Sequence, residues 1–232
     1  MPEVLRSGND AEIRRWRRMR ALERTMEKRP DLWDRAELSP EDQTLLSALQ
    51  KERSRKKLTE PVICRPMEEA DLPEVMLIVR QCKNYLKKHR VNQWQDEYPT
   101  EDVFRGDMAR GEAHVLTYGG RVAAFFTLTS RPEPVYDLLT DGKWSRDGAY
   151  CSLHRSAVEA EFRGTGLSDR IMAEAERLAR ELGAVSLRAD THRHNEPMKA
   201  LLHRSGYRYR GNVLYPDEPS DPRRQAFDKV LA

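Results

Sequence analysis

Residues 163–168 read Arg-Gly-Thr-Gly-Leu-Ser, the composition of an anion cradle. A strand-like run at 149–158 precedes them, and a helical pattern begins at Leu167. Glycine at such a junction lets the backbone approach an anion closely. The first helical turn then offers unpaired N–H groups and the positive end of its dipole. A pyrophosphate fits that arrangement and implies a nucleotide cofactor; a simple tight turn is the plainer alternative. No Lys-Ser or Lys-Thr pair follows, so the loop is not of the Walker kind. The third glycine and the ribose-binding acid of a dinucleotide fingerprint are missing too. His154 stands on the strand just ahead of the cradle. An imidazole there is a candidate general base, unless it is a buried histidine bonded to backbone. Asp190 is a second catalytic candidate, or an acid that orients Arg188 or Thr191. A different chemistry is suggested by Arg14, Arg15, Arg17 and Arg18 around Trp16. Cations beside a stacking aromatic suit nucleic-acid phosphate and base. Glu12, Glu23 and Glu27 blunt that charge, and a solvated helix face is the alternative.

These residues need elements to position them. Asn9 is placed to cap a helix, with Glu12 completing a capping box, and the helix should stop at Arg29-Pro30. Ser39-Pro40 starts a second helix carrying Leu45, Leu46 and Leu49. The basic run Lys51-Glu-Arg-Ser-Arg-Lys-Lys57 then reads as a linker. The expected organisation is a helical extension at 1–50, a linker at 51–60 and an α/β domain at 61–232. Within that domain a short strand covers 62–64. Asp71 caps a helix with Leu72, Val75, Ile78, Cys82 and Leu86 on one face, and Thr100 caps another. Residues 113–118 and 122–129 form a hairpin closed by Gly119-Gly120. A long polar loop at 130–148 leads to the strand before the cradle. The cradle helix aligns Leu167, Ile171, Ala175, Leu178 and Leu182 and ends at Gly183. An alternating strand at Val185, Leu187 and Ala189, a helix at 195–204 and a last strand at 225–231 complete the order.

The chain has 232 residues, 38% hydrophobic and 34% charged, with a net charge of +3. That charge is too small to argue for nucleic-acid binding by itself. No apolar run has the length of a membrane span, and charge from Glu3 onward speaks against a signal peptide, so a cytoplasmic setting is expected. Cys64, Cys82 and Cys151 lack metal-ligand spacing and read as reduced thiols. Asp190, His192 and His194 lack a supporting carboxylate–histidine helix pair, so no metal is expected.

The cradle fits Arg/Gln-x-x-Gly-x-Gly/Ala, the acyl-CoA loop of the GNAT N-acetyltransferase superfamily, with Ser168 where that family has Gly or Ala. The resemblance extends over roughly 170 residues. It includes His154-Arg-Ser-Ala-Val158, Leu187-Arg-Ala-Asp-Thr-His192, Asn195-Glu-Pro-Met198 and Ser205-Gly-Tyr-Arg-Tyr-Arg-Gly211, in family order. Asn92-Gln-Trp-Gln-Asp-Glu-Tyr-Pro-Thr100 resembles a bacterial branch of it. The resemblance implies a mixed, mostly antiparallel central sheet flanked by helices, and transfer of acetyl from acetyl-CoA to a primary amine of a small molecule or peptide in a ternary complex. It also implies a gap between the strand ending at Val158 and the one starting at Val185, where CoA enters. Ala157 and Val158 would offer N–H groups there. Arg163, Gly164, Thr165, Gly166, Leu167 and Ser168 would surround the pyrophosphate, and Asn195 would meet the pantetheine. Gln93, Trp94, Tyr98, Trp144 and Tyr150 are acceptor-pocket candidates, or core and lid packing. The family's thiolate-protonating tyrosine is replaced by Leu202, beside His203.

The opening segment resembles a second family. Met1-Pro-Glu-Val-Leu-Arg-Ser-Gly-Asn9, Ala11-Glu-Ile-Arg-Arg-Trp-Arg-Arg18 and Ala21-Leu-Glu-Arg-Thr-Met-Glu-Lys-Arg-Pro-Asp-Leu32 look like the C-terminal tail of bacterial tRNA (guanine-N1)-methyltransferase. That tail helps hold tRNA; Asp10 stands where the family has His. The methyl-donor half is absent from this sequence, so methyl transfer is not expected of it. The resemblance leaves a second function open: a tRNA-binding accessory module whose GNAT part binds CoA or is inactive.

Overall fold

The computed structural model describes residues 3–6, 8–33, 36–53, 58–95, 97–215 and 222–231. Residues 54–57 of the expected linker, and Met1, lie outside them.

Three helices open the chain: α1 (Asp10–Lys28), α2 (Pro30–Trp33) and α3 (Pro40–Arg53). Asn9 Oδ1 accepts the N–H groups of Ala11 and Glu12, so α1 begins where the cap was expected. It ends at Arg29, ahead of Pro30. Ser39 and Asp42 exchange side-chain and backbone bonds at the start of α3. Leu22, Met26, Trp33 and Leu45 form a small core closed by Ala200 from a helix far along the chain.

The remainder is built of β1 (Ile63–Pro66), α4 (Leu72–Lys88), α5 (Glu101–Ala109), β2 (Ala113–Tyr118), β3 (Arg121–Thr129), α6 (Pro134–Asp137), β4 (Tyr150–Val158), α7 (Leu167–Glu181), β5 (Ser186–His192), α8 (Glu196–Arg204), β6 (Arg208–Leu214) and β7 (Arg223–Val230). The seven strands form one sheet ordered β1-β2-β3-β4-β5-β7-β6. Every neighbouring pair is antiparallel except β4 and β5. This is the expected mixed α/β architecture with flanking helices.

Side-chain alternation along the strands makes two cores. Phe125, Val115 and Ala157 face α4 and α5 through Val75, Ile78, Val79 and Phe104. Phe126, Leu153, Leu187 and Ala189 face α7 and α8 through Ile171, Ala175, Leu201 and Leu202. Each valine, leucine, isoleucine or phenylalanine among them, fully buried, contributes about 1.5–3 kcal/mol of transfer free energy.

Three expectations change. Asp71 does not cap α4, because Arg65 holds both its carboxylate oxygens at 2.7 Å and the Glu68 N–H bonds to one of them. Leu182 leaves the α7 stripe and is 59% exposed, since the helix stops there and Gly183 turns away at φ 74°. The 130–148 loop contains α6, and β6 was not expected at all. A bulge between Tyr209 and Gly211 breaks the β6 alternation. At Gly211 a Cβ would meet the Thr140 carbonyl oxygen at 2.2 Å, so only glycine lets the loop seat against that strand.

Candidate active site

Among the described residues, β4 pairs with β5 at only three positions, Tyr150 with Ser186, Cys151 with Leu187 and Ser152 with Arg188. Beyond Ser152 the strands part, and a cavity of about 940 Å³ opens between them. Its size suits a small-molecule site. A bulge deepens the parting. Thr127 faces His154 and Phe125 faces Ala157, so Arg155 and Ser156 together oppose Phe126. Arg155 sits at φ 44°, a conformation that L side chains rarely adopt. Its guanidinium is tied to Asp107 and, through Nη1 at 2.7 Å, to the Tyr98 hydroxyl.

The cradle lies at one end of the cavity. Gly166 caps α7 at φ 89°, and among the described residues no side chain caps the helix. Its first N–H groups are thus left for an anion. Arg163, Ser168, Ala157 and Val158 line the cavity. Gly164 turns the loop, Thr165 bonds back to the Phe162 carbonyl at 2.6 Å, and Leu167 sends its side chain into the core. Gly164, Thr165, Gly166 and Leu167 are not among the residues that line the cavity. The Arg163 guanidinium lies 4.6 Å above the Tyr85 ring. Arg204 donates to Ser168 Oγ at 3.1 Å and to Asp169 at 2.7 Å, which brings a cation beside the first turn of α7.

Carboxylates and phenols gather at the other end. His154 Nε2 and Glu133 Oε1 lie 3.0 Å apart. Burial pushes the Glu133 carboxyl up, but the hydrogen bond and charge of His154, with the charges of Arg131 and Arg155, outweigh it and hold it below its ordinary range. Asp190 Oδ1 accepts the hydroxyls of Tyr136 at 2.8 Å and Tyr215 at 2.9 Å. Burial and the Asp190 charge raise both phenols. Gln93 and Trp94 line the cavity. Asn195 donates to Gln93 Oε1 at 3.0 Å while its own Oδ1 caps α8. The residue expected at the pantetheine thus touches one expected at the acceptor.

Tyr150 and Trp144 do not line the cavity. The Tyr150 ring covers Arg188 at 3.7 Å, and its hydroxyl accepts the Glu133 N–H at 2.9 Å, so it positions Glu133 from behind. The Trp144 ring also lies against Arg188, at 4.2 Å, and its Nε1 donates to the Tyr136 carbonyl. Leu202 is fully buried in the core. His203 packs edge-on against Phe227; burial, with Arg208 and Lys199 nearby, pushes its imidazole down to about 4. Among the described residues no three His, Cys, Asp or Glu side chains are grouped to hold a metal ion, and no described helix is long and apolar enough to cross a membrane.

Glu133, Tyr136, Arg155, Arg204, Tyr215 and Arg224 are site residues that the sequence reading did not single out. Each joins the site through the fold rather than through a local motif; the one available signal was the length of the polar loop holding Glu133 and Tyr136.

On α1 the arginines divide. Arg18 lays its fork on Asp42, with Nε and Nη2 at 2.8 and 2.9 Å from the two oxygens. Arg14, Arg15 and Arg17 are exposed.

A family model described as Acetyltransferase (GNAT) family matches residues 79–207. Another, tRNA (Guanine-1)-methyltransferase, matches residues 1–35. Over 49 residues the chain is 61% identical to the tRNA (guanine-N(1)-)-methyltransferase of Koribacter versatilis, covering 21% of this chain and 19% of the relative. The chain spans about one fifth of the length of the curated relatives it matches. A GNAT-family acetyltransferase from Streptococcus agalactiae superposes with a TM-score of 0.63 at 30% identity, covering 74% of this chain and 96% of that one. One from Listeria monocytogenes does so at 0.56 and 20%, covering 73% and 95%.

Proposed function

The chain belongs to the acetyltransferase (GNAT) family, and from that premise we propose that it moves an acetyl group from acetyl-CoA to a primary amine of a small molecule or peptide, by direct attack in a ternary complex. One observation carries this reading: the uncapped N-terminus of α7 behind Gly166 opens on the same cavity as the unpaired edge of β4. An anionic end and an extended arm fit there together. Gly164, Gly166 and Ser168 would hold a pyrophosphate on backbone N–H groups, with Arg163 and Arg204 as counter-charges. The backbone of Ala157 and Val158, along the freed edge of β4, would hold the arm or polarise a carbonyl, and Asn195 would steady the arm from α8.

Bound acetyl-CoA would supply a thioester: the amine nitrogen bonds to the acetyl carbon, the carbon–sulfur bond breaks, and the thiolate leaves as a good leaving group. The chain must supply a neutral amine. His154, oriented by Glu133, is placed to take the ammonium proton as general base. Asp190, held by two phenols, borders the same end. Leu202 brings no hydroxyl to the site, so the thiolate would be protonated by water or by a cavity phenol.

A second reading, an RNA-binding accessory module, is favoured by the opening segment alone: its match at residues 1–35 and the exposed Arg14, Arg15 and Arg17.

Calorimetry of acetyl-CoA with the whole chain and with an Arg163→Glu, Gly166→Asp double variant tests the proposal. Micromolar binding that the variant loses supports it. No binding by folded protein removes it and favours the RNA reading.

A further inference from the structure

Three tyrosines line the cavity, Tyr85, Tyr98 and Tyr215, and their hydroxyls are placed differently. Tyr215 gives its proton to Asp190 Oδ1 at 2.9 Å. Tyr85 stands at the cradle end, its ring 4.6 Å beneath the Arg163 guanidinium. Tyr98 is held at the β4 bulge, where its hydroxyl oxygen accepts from Arg155 Nη1 at 2.7 Å. A guanidinium donates and does not accept, so this bond uses a lone pair of the oxygen and leaves the O–H proton uncommitted. Among the described residues no acceptor takes that proton.

The bulge explains the position of Tyr98. Regular pleating would send His154 and Arg155 to opposite faces of the sheet. His154 pairs with Thr127, and cross-strand partners share a face. Thr127 Oγ1 and the Arg155 guanidinium both donate to the Asp107 carboxylate. His154 and Arg155, neighbours in sequence, therefore share one face, which the extra residue of the bulge permits. One distortion of β4 thus brings a candidate base and, through Arg155, a phenol with a proton to give onto the same side.

We propose that Tyr98 is the acid of this site: its O–H donates to the sulfur of CoA and protonates it as the thiolate leaves, the task for which Leu202 has no proton. This deepens the acetyltransferase reading and rests on it. The order of residues along β4 supports the placement. Val158 and Ala157 lie on the cradle side of the bulge, and His154 lies beyond it. An arm that starts at the cradle and meets the amine beside His154 carries its sulfur past Ser156 and Arg155, where Tyr98 is held. Partial burial raises the Tyr98 phenol and the Arg155 charge offsets part of that, so it keeps its proton at neutral pH. The step balances. The amine nitrogen bonds to the acetyl carbon, the carbon–sulfur bond breaks, and the sulfur takes the Tyr98 proton. Tyr98 is 40% exposed, so solvent returns a proton to the phenolate beside Arg155. The proton lost by the amine leaves through His154, and one proton is released for each amide formed.

The test needs no acceptor. The full chain and its Tyr98→Phe variant are titrated with CoA and with desulfo-CoA, which lacks the sulfur. Thiolate formation in bound CoA is followed across pH by ultraviolet absorbance, with the desulfo-CoA complex as the blank. A hydrogen bond to a charged sulfur is strong enough to move its titration by about 1 pH unit. We expect the bound thiolate to form about 1 pH unit lower in the wild type than in Tyr98→Phe. Above both midpoints CoA should bind the wild type about tenfold more tightly, while desulfo-CoA binds the two proteins alike. Tyr215→Phe should leave the midpoint in place. An unchanged midpoint in Tyr98→Phe overturns the inference. So does an equal loss of CoA and desulfo-CoA affinity, which would make the hydroxyl a packing group, and so does a midpoint that moves only in Tyr215→Phe. In each of these cases the wild type still binds CoA and the acetyltransferase reading stands. No CoA binding by the folded wild type removes that reading and the inference with it.

Discussion

Arg155 lays its guanidinium across the carboxylate of Asp107, Nε to Oδ2 at 2.8 Å and Nη2 to Oδ1 at 3.0 Å, while its own backbone is held at φ 44°. The ion pair lies beneath the bulge that turns β4 away from β5. Asp107 is 1% exposed and also accepts Thr127 Oγ1 and Arg110. A strained backbone persists when its surroundings over-determine it, and here a buried carboxylate does so. Breaking a buried pair by removing one partner costs about 3–5 kcal/mol. Asp107→Ala should lose stability of that order in urea unfolding and lose acetyl transfer as the bulge relaxes. A loss under about 1 kcal/mol would mean that the pair does not hold the bulge.

Among the described residues, His154 and Glu133 form the one histidine–carboxylate pair lining the cavity. General base catalysis is worth about 10²–10⁴-fold, so His154→Gln should cut kcat by at least the lower figure. Glu133→Gln should cut it less, about tenfold, because the amide keeps the position and loses the charge. The Glu133 carboxyl is held below its ordinary range, so wild-type activity should not change with Glu133 ionisation above about pH 5. Full activity in His154→Gln at every pH would leave proton removal to water.

Parts of this site were legible in the residues themselves. Gly164 and Gly166 are local features, and their positive φ values follow from the turn that any strand-to-helix cradle needs. His154 was legible because strand alternation puts it on a face. The acceptor end was not. Glu133 reaches His154 across 21 residues, Tyr215 reaches Asp190 across 25, and Arg155 reaches Asp107 across 48. Those distances close only when the sheet assembles, and no local pattern encodes them. Tyr150 shows the converse. Its type suited a pocket, but the register of β4 with β5 turns it onto Arg188.

By resemblance to the acetyltransferase family, Leu202 stands where a tyrosine would protonate the leaving thiolate. It is fully buried against the α7 face of the sheet and does not line the cavity. Leu202→Tyr would force a hydroxyl and extra carbons into a closed core, and overpacking of that kind costs about 1–3 kcal/mol. The variant should melt earlier without turning over faster. A rise in kcat would show that the core opens and that an acid had been limiting.

Acid should loosen the opening helices. The Arg18 fork holds the Asp42 carboxyl at about 2, against the effect of burial and with help from Ser39. The unfolded carboxylate titrates near ~3.9, so the folded value is the lower of the two. The contribution is therefore complete above about pH 5 and is lost as pH falls through about 2. Fluorescence of Trp33, buried in the small core with Met26 and Leu45, should report the loss. Asp42→Asn should be less stable at neutral pH and flat across that window. Equal acid sensitivity in variant and wild type would assign the transition to other carboxylates.

The α1 arginines should separate by role in the same way. Arg18 is engaged with Asp42, whereas Arg14, Arg15 and Arg17 face solvent. If the segment touches tRNA, each exposed arginine that meets a phosphate lowers the salt slope of binding by about 0.9 when removed. Replacing Arg14, Arg15 and Arg17 with Gln should flatten the slope of log K against log salt by about 2–3 and leave the melting temperature unchanged. Arg18→Gln should do the reverse, destabilising α1 against α3 with little change in slope. A slope that ignores all four would remove tRNA from the reading and leave this helix as support for α8, through the contact of Leu22 and Met26 with Ala200. In that case deleting residues 1–50 should still weaken acetyl-CoA binding, because Ala200 and Leu201 of α8 line the cavity that the extension packs against.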